Sequence, residues 1–277
     1  MQANMEKQII WRGLLAGAAA GVMAFMFARI FVEPQIELAI GYEEGVGSAH
    51  EAAENAANAA ATAVGVAGHS HGGQGGGFTR AVQMNIGMGL GVLAFSVAIG
   101  AIFAVVFAVA YGRVGDISAR LLSLYVAGGM LLSLYVVPTL KYPASPPALS
   151  LEETIRQRTL LYLLIVVLSV ALFVGAVYLG HRLATRLGAW NAALAAAGGY
   201  VVAVAVVMLI LPSIGETPGP LVDGAGTIIY QGFPADLLYE FRLYSLGTQV
   251  VIYATIALVF AELVARLLGE RKPVLAA

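Results

Sequence analysis

The stretch Thr159–Gly180, TLLYLLIVVLSVALFVGAVYLG, runs through 22 residues without one charged side chain. As a helix it would be ~33 Å long, which matches the ~30 Å hydrocarbon core of a bilayer. Working outward from it in both directions, comparable apolar segments lie at 10–32, 86–111, 119–138, 189–211 and 246–268, so six spans are expected. The first follows Lys7 and contains Arg12, as a secretory signal would. Its apolar run is too long for that, and no small-residue cleavage site follows before Arg29.

Composition agrees with a membrane protein. The 277 residues are 60% hydrophobic and 11% charged, with a mean hydropathy of +0.84, where a soluble domain carries ~25% charged residues. The expected fold is one all-α integral membrane domain, 1–277, with six transmembrane helices and both termini cytoplasmic. A net charge of -1 gives no basic face for nucleic acid. The absence of cysteine excludes disulfides, thiolate ligands and iron–sulfur clusters. The lysines are Lys7, Lys141 and Lys272, none after a glycine, so the Gly-Lys of a phosphate-binding loop is missing.

The loops set a direction. With the N-terminus inside, nine of the fifteen basic residues fall on short inner segments, among them Lys7, Arg12, Arg113, Arg120, Arg182, Arg186 and Arg266. Twelve of the sixteen acidic residues then fall outside, together with three of the four histidines. The outer loops are expected at 33–79, with short helices and a Gly/His-rich segment, and at 139–158 and 212–245, which carry Pro-rich motifs.

The longest of these loops holds the candidate metal ligands. Pro34 suits a first helical position, with Glu33, Glu37 and Glu44 on one face behind it. Ser48 and Glu51 have capping-box spacing and predict a new helix start at Ser48. That helix would place His50 and Glu54 one turn apart. Gly68-His69-Ser70-His71-Gly72 follows, in a glycine run whose freedom lets two imidazoles approach one ion. Imidazole suits cobalt, nickel, copper and zinc. His69 and His71, with His50 and Glu33, Glu37 or Glu54, are therefore the expected metal-collecting set, although glycine-rich loops also gather histidine without function.

Other features have plainer readings. Met23 with Met26, and Met84 with Met88, fit packing. Glu262 and Arg266 fit an i, i+4 structural pair. Asn85, Asn191 and Gln249 fit either interhelical hydrogen bonds or a path lining. Each outward helix is expected to end near a proline, at 34, 138 and 212, and Arg80, Arg156 with Arg158, and Arg242 introduce the returning ones; this fits one hairpin used three times, although prolines commonly punctuate helix ends and arginines commonly sit at interfaces.

Two longer motifs, LKYPASPPALSLEETIRQRTLLY (140–162) and GFPADLLYEFRLYSLGTQ (232–249), resemble segments of the CbtA family of predicted cobalt transporter subunits. In the first, Ser145 stands where asparagine is usual. The resemblance implies a multi-pass membrane protein serving cobalt supply for cobalamin synthesis, with a small histidine-bearing membrane subunit as partner. Assembly of several copies stays open. It also singles out Lys141, Tyr142, Pro143, Arg156, Arg158, Asp236 and Arg242 as motif or path residues. Nothing in the spacing selects Co2+ over Ni2+ or Zn2+, since affinity in a nitrogen and oxygen site rises from cobalt to nickel. The expected function is divalent-metal uptake at the cell membrane, with no tightly bound cofactor. The rival readings are a non-transporting accessory subunit that captures metal and, last, an enzyme built on Asp236, Glu240 and Arg242, for which no catalytic constellation is recognisable.

Overall fold

A computed structural model describes residues 2–62, 79–147, 149, 152–215 and 217–270. In chain order it contains α1 (Gln2–Phe27), a π turn (Ala28–Val32), α2 (Glu33–Thr62), α3 (Arg80–Val82), a second π turn (Gln83–Gly87) and α4 (Met88–Ala110). Then come α5 (Ala119–Leu131), a third π turn (Leu132–Val136), α6 (Val137–Lys141), α7 (Glu152–Ile210), strands β1 (Leu221–Val222) and β2 (Ile228–Tyr230), and α8 (Ala235–Leu267). Five of these helical runs are long and apolar enough to cross a membrane. Lipid offers no hydrogen bonds, so such segments must pair their backbone internally, as helices do. The chain is an all-α membrane protein apart from the β1–β2 ribbon, whose turn is held by Asp223 Oδ1 accepting from the amides of Ala225 and Thr227.

The core is a bundle of α1, α4, α5 and α8. Small residues bring α1 and α4 together. Gly13, Gly17 and Gly21 on α1 face Ser96, Gly100 and Ala104 on α4, and a Cβ on Gly17 would lie 2.5 Å from the Ser96 carbonyl oxygen. This is the small-xxx-small contact by which membrane helices gain dispersion energy where no hydrophobic effect separates protein from lipid. The repeat is plain in the sequence and is a signal that the span count alone passes over. Deeper in the bundle, Phe103 and Phe107 of α4 meet Phe260 of α8 edge to face, each at 5.0 Å between centroids.

One end of the bundle is tied by charge. Arg12 Nε donates to the Leu263 carbonyl, Arg120 and Arg266 both reach Glu262, and Glu270 accepts from the Ala119 amide at the start of α5. Segments expected on one side of the membrane thus gather at one end, and Glu262–Arg266 forms as a structural pair.

Prolines shape the other end. Pro34 and Pro138 do not stop their helices. Each lacks an N–H and crowds the carbonyl four residues earlier, here Ile30 and Leu134, and both of those lie inside a π turn. The wider turn makes room for the ring. As a result α1 continues through Pro34 into α2, whose 30 residues extend ~45 Å farther. The new start expected at Ser48 does not form: the helix is already running there, and Ser48 Oγ donates back to the Glu44 carbonyl at 2.9 Å. The other two outer loops are also shorter than expected, because α7 already begins at Glu152 and α8 at Ala235.

Helix α7 is two helices joined at Gly188, whose φ of 76° and ψ of 161° suit glycine. Ser169 and Tyr200 would stand ~46 Å apart in a straight helix, yet their hydroxyls are 2.9 Å apart. The two arms therefore lie side by side, with Gly180 against Ala196. This changes the three-hairpin expectation. The second arm of α7 folds back on the first, while α8 packs chiefly against α1 and α5. Between the arms and the Leu132–Leu140 segment runs an open apolar groove of about 770 Å³.

Candidate functional site

The end capped by prolines brings the two long motifs together. Lys141 Nζ donates to Ser213 Oγ at 3.0 Å, and the Tyr142 hydroxyl donates to the Pro212 carbonyl at 2.8 Å. Burial raises the Tyr142 pKa above its ordinary value, so at neutral pH the phenol keeps the proton it donates. Arg242 of α8 donates from Nε to the Ala144 carbonyl at 3.3 Å. These bonds fasten the chain from Lys141 to Ala144 onto α8 and onto the chain leaving α7. They enclose a cavity of about 70 Å³ lined by Tyr142, Pro143, Ser145, Arg158, Thr217 and Arg242, among others.

Beside this cap lies a second polar layer. Glu33 is 2% exposed and forms an ion pair with Arg80 across the two π turns. Arg29 reaches the Met84 sulfur at 3.9 Å, and Gln35 Nε2 donates to Glu240 Oε2 at 2.9 Å. Farther along α2, the Tyr42 hydroxyl donates to the Gln231 carbonyl and its ring packs edge-on against Phe233. Each of these bonds joins residues far apart in sequence. No spacing rule links Glu33 to Arg80 or Gln35 to Glu240, though Glu33 and Arg80 each stand where one apolar segment ends or the next begins.

The residues expected to collect metal are placed as follows. Glu37, His50 and Glu54 are exposed on α2, with His50 and Glu54 one turn apart. The continuous helix holds His50 ~26 Å along its axis from Glu33 and ~20 Å from Glu37, so these three do not meet on one ion. Among the described residues no three His, Asp or Glu side chains gather into a metal-holding group. His69 and His71 lie outside the described residues. Of the motif residues, Lys141, Tyr142, Pro143, Arg158 and Arg242 converge at the cap. Arg156 is exposed on the first turns of α7. Asp236 is exposed in the first turn of α8, where its Oδ1 accepts from the Leu237 amide, a bond that serves the helix start.

A family model described as "Probable cobalt transporter subunit (CbtA)" matches residues 6–265. No curated protein and no solved structure matches the chain.

Proposed function

The chain belongs to the CbtA family of probable cobalt transporter subunits, and from that premise we propose that it carries a divalent transition metal, cobalt in preference, inward across the cell membrane. The observation that carries the reading is the extent of the family match, which takes in the whole helical bundle and both motifs at the cap. In the proposed route the N-terminus is cytoplasmic, and the acidic α2 arm draws cations to the outer mouth. His69 and His71 collect the ion, with His50 and Glu54 as a second weak station one turn apart. Several weak stations suit conduction, since the ion must leave each one. The large separations along α2 make them successive stations. The partner is proposed to be a small histidine-bearing membrane subunit.

One observation favours a second reading, a non-transporting subunit of the same complex: the buried carboxylate nearest the bundle, Glu33, is neutralised by Arg80. The readings separate in a host lacking its own cobalt importers. Cells expressing this chain alone are expected to accumulate radioactive cobalt above the vector control, and less so with His69→Ala/His71→Ala. Accumulation that appears only when a second subunit is co-expressed supports the accessory role.

A further inference from the structure

Two interior-facing stripes start at the cap and run down the bundle together. On α7, Arg158, Tyr162, Ile165 and Ser169 follow an i, i+4, i+7, i+11 spacing. On α8, Arg242, Ser245, Gln249 and Tyr253 follow i, i+3, i+7, i+11, so each set shares one helix face. These residues are half-buried or buried, whereas their neighbours Leu163 and Val250 are 54% and 45% exposed on the outer faces of the same helices. Arg158 and Arg242 line one cavity, which sets the two stripes opposite each other at their upper ends. From that level Tyr162 stands ~6 Å deeper, and Gln249 and Tyr253 stand ~10 and ~16 Å deeper. The third wall is the Leu132–Lys141 segment, which contributes Tyr135. The Tyr162 phenol is close enough to those of Tyr135 and Tyr253 to interact with both electrostatically. Below them the α8 face continues with Ile256 and Phe260, both fully buried.

The polar groups of this seam have no protein partners. Among the described residues, the phenols of Tyr135, Tyr162 and Tyr253 and the Gln249 amide make no hydrogen bond, and only Ser96 Oγ is both unpartnered and sealed off. The four groups therefore open onto a space, Tyr253 included, although that residue as a whole is 2% exposed. Hydrocarbon offers a phenol or an amide nothing, and each one left unpaired there is costly. Water in the space removes that cost. Polar side chains that face inward within membrane spans mark ion pathways. We propose that the seam between α8, the first arm of α7 and the Leu132–Lys141 segment is a water-filled cleft, entered from the capped end, that carries the hydrated metal ion through the outer half of the membrane. This rests on the reading of the chain as a metal carrier. The phenol and amide oxygens accept from the ion's water shell, and such weak, neutral contacts let the ion move on.

The chain has no cysteine, so a single introduced thiol reports its own surroundings. Tyr162→Cys and Gln249→Cys are compared with Leu163→Cys and Val250→Cys, their neighbours on the exposed faces. Intact cells of a host lacking its own cobalt importers are treated from outside with a membrane-impermeant trimethylammonium methanethiosulfonate. The reagent needs water and a thiolate, which apolar surroundings suppress, so the two cleft positions should react at least about tenfold faster than the two controls. Gln249→Cys should retain a measurable part of the wild type's radioactive cobalt accumulation before treatment and lose it afterwards, whereas Val250→Cys should keep its own. Gln249→Cys decides the matter should Tyr162→Cys fail to fold, since Gln249 has no hydrogen bond to lose. Equal rates at cleft and lipid-facing positions overturn the proposal, as does cobalt accumulation that survives complete labelling of Gln249→Cys. Accumulation by the untreated wild type tests the transport reading separately. Where it is present and the rates are equal, the cleft alone is wrong; where it is absent, the ion's route falls with the transport reading.

Discussion

Single residues at the cap carry the sharpest consequences. Arg80→Ala leaves the Glu33 carboxylate buried without its partner, and the expected loss is roughly 1–3 kcal/mol, below a fully buried pair because Arg80 is partly exposed. Glu33→Gln in the same chain should recover most of it, since the amide needs no counter-charge. Thermal unfolding of the two single variants and the double variant reads this as a cycle. Tyr142→Phe removes the bond to Pro212 and should cost about 0.5–1.5 kcal/mol. Tyr142 also has a pH signature. Its folded pKa is raised above 10.0, so its contribution is complete below pH 10 and lost as pH climbs through the higher folded value. The alkaline decline in stability should therefore be shallower in Tyr142→Phe. Equal declines would mean that Tyr142 is not held protonated. None of these pairings follows from sequence spacing. What the sequence does supply is most of the cap's membership: Tyr142, Pro143, Ser145, Leu149, Arg158 and Arg242 lie in the two motifs, whereas Ile214, Gly215 and Thr217 do not.

At the scale of elements, glycine separates packing from propensity. Gly17→Val places side-chain atoms against the α4 backbone at Ser96 and Val97, and overpacking of this kind should cost at least about 1–3 kcal/mol. Gly41→Ala meets nothing within 4 Å and should stabilise α2 by about 0.5–1 kcal/mol. The contrast in Tm between the two is the measurement; equal effects would deny the α1–α4 contact. Gly188→Ala forces a Cβ into a backbone region suited to glycine and should cost about 1–3 kcal/mol. Legibility at this scale is uneven for a physical reason. Apolar length is a local property, so all six apolar segments can be read and all appear as helix. Helix continuation is decided by neighbours. Pro34 and Ser48 both signal a boundary, yet a π turn absorbs the proline and the helix, once running, leaves the serine nothing to cap. Which helices become neighbours is likewise not local. The sharp turn at Gly188 folds the fifth segment onto the fourth and leaves α8 to complete the bundle.

For the whole molecule, family membership and the apolar helices together define a multi-pass cell-membrane protein of a cobalt transporter family. The α2 arm exposes Glu37, Glu43, Glu44, Glu51 and Glu54, an acidic surface that the proposed route of the metal ion would cross. His69 and His71 stand out in the sequence as a candidate pair and lie outside the described residues, whereas α2, as one continuous helix, holds His50, Glu33 and Glu37 apart. In the proposed function the chain itself moves the ion. The direct measurement is radioactive cobalt entry into proteoliposomes that contain this chain alone, with an inside-negative potential, which favours dication entry by ~2.3 kcal/mol per charge per 100 mV. Time-dependent, saturable uptake above protein-free vesicles is expected, reduced by His69→Ala/His71→Ala. Uptake no greater than in protein-free vesicles, from protein shown to be folded, would contradict it.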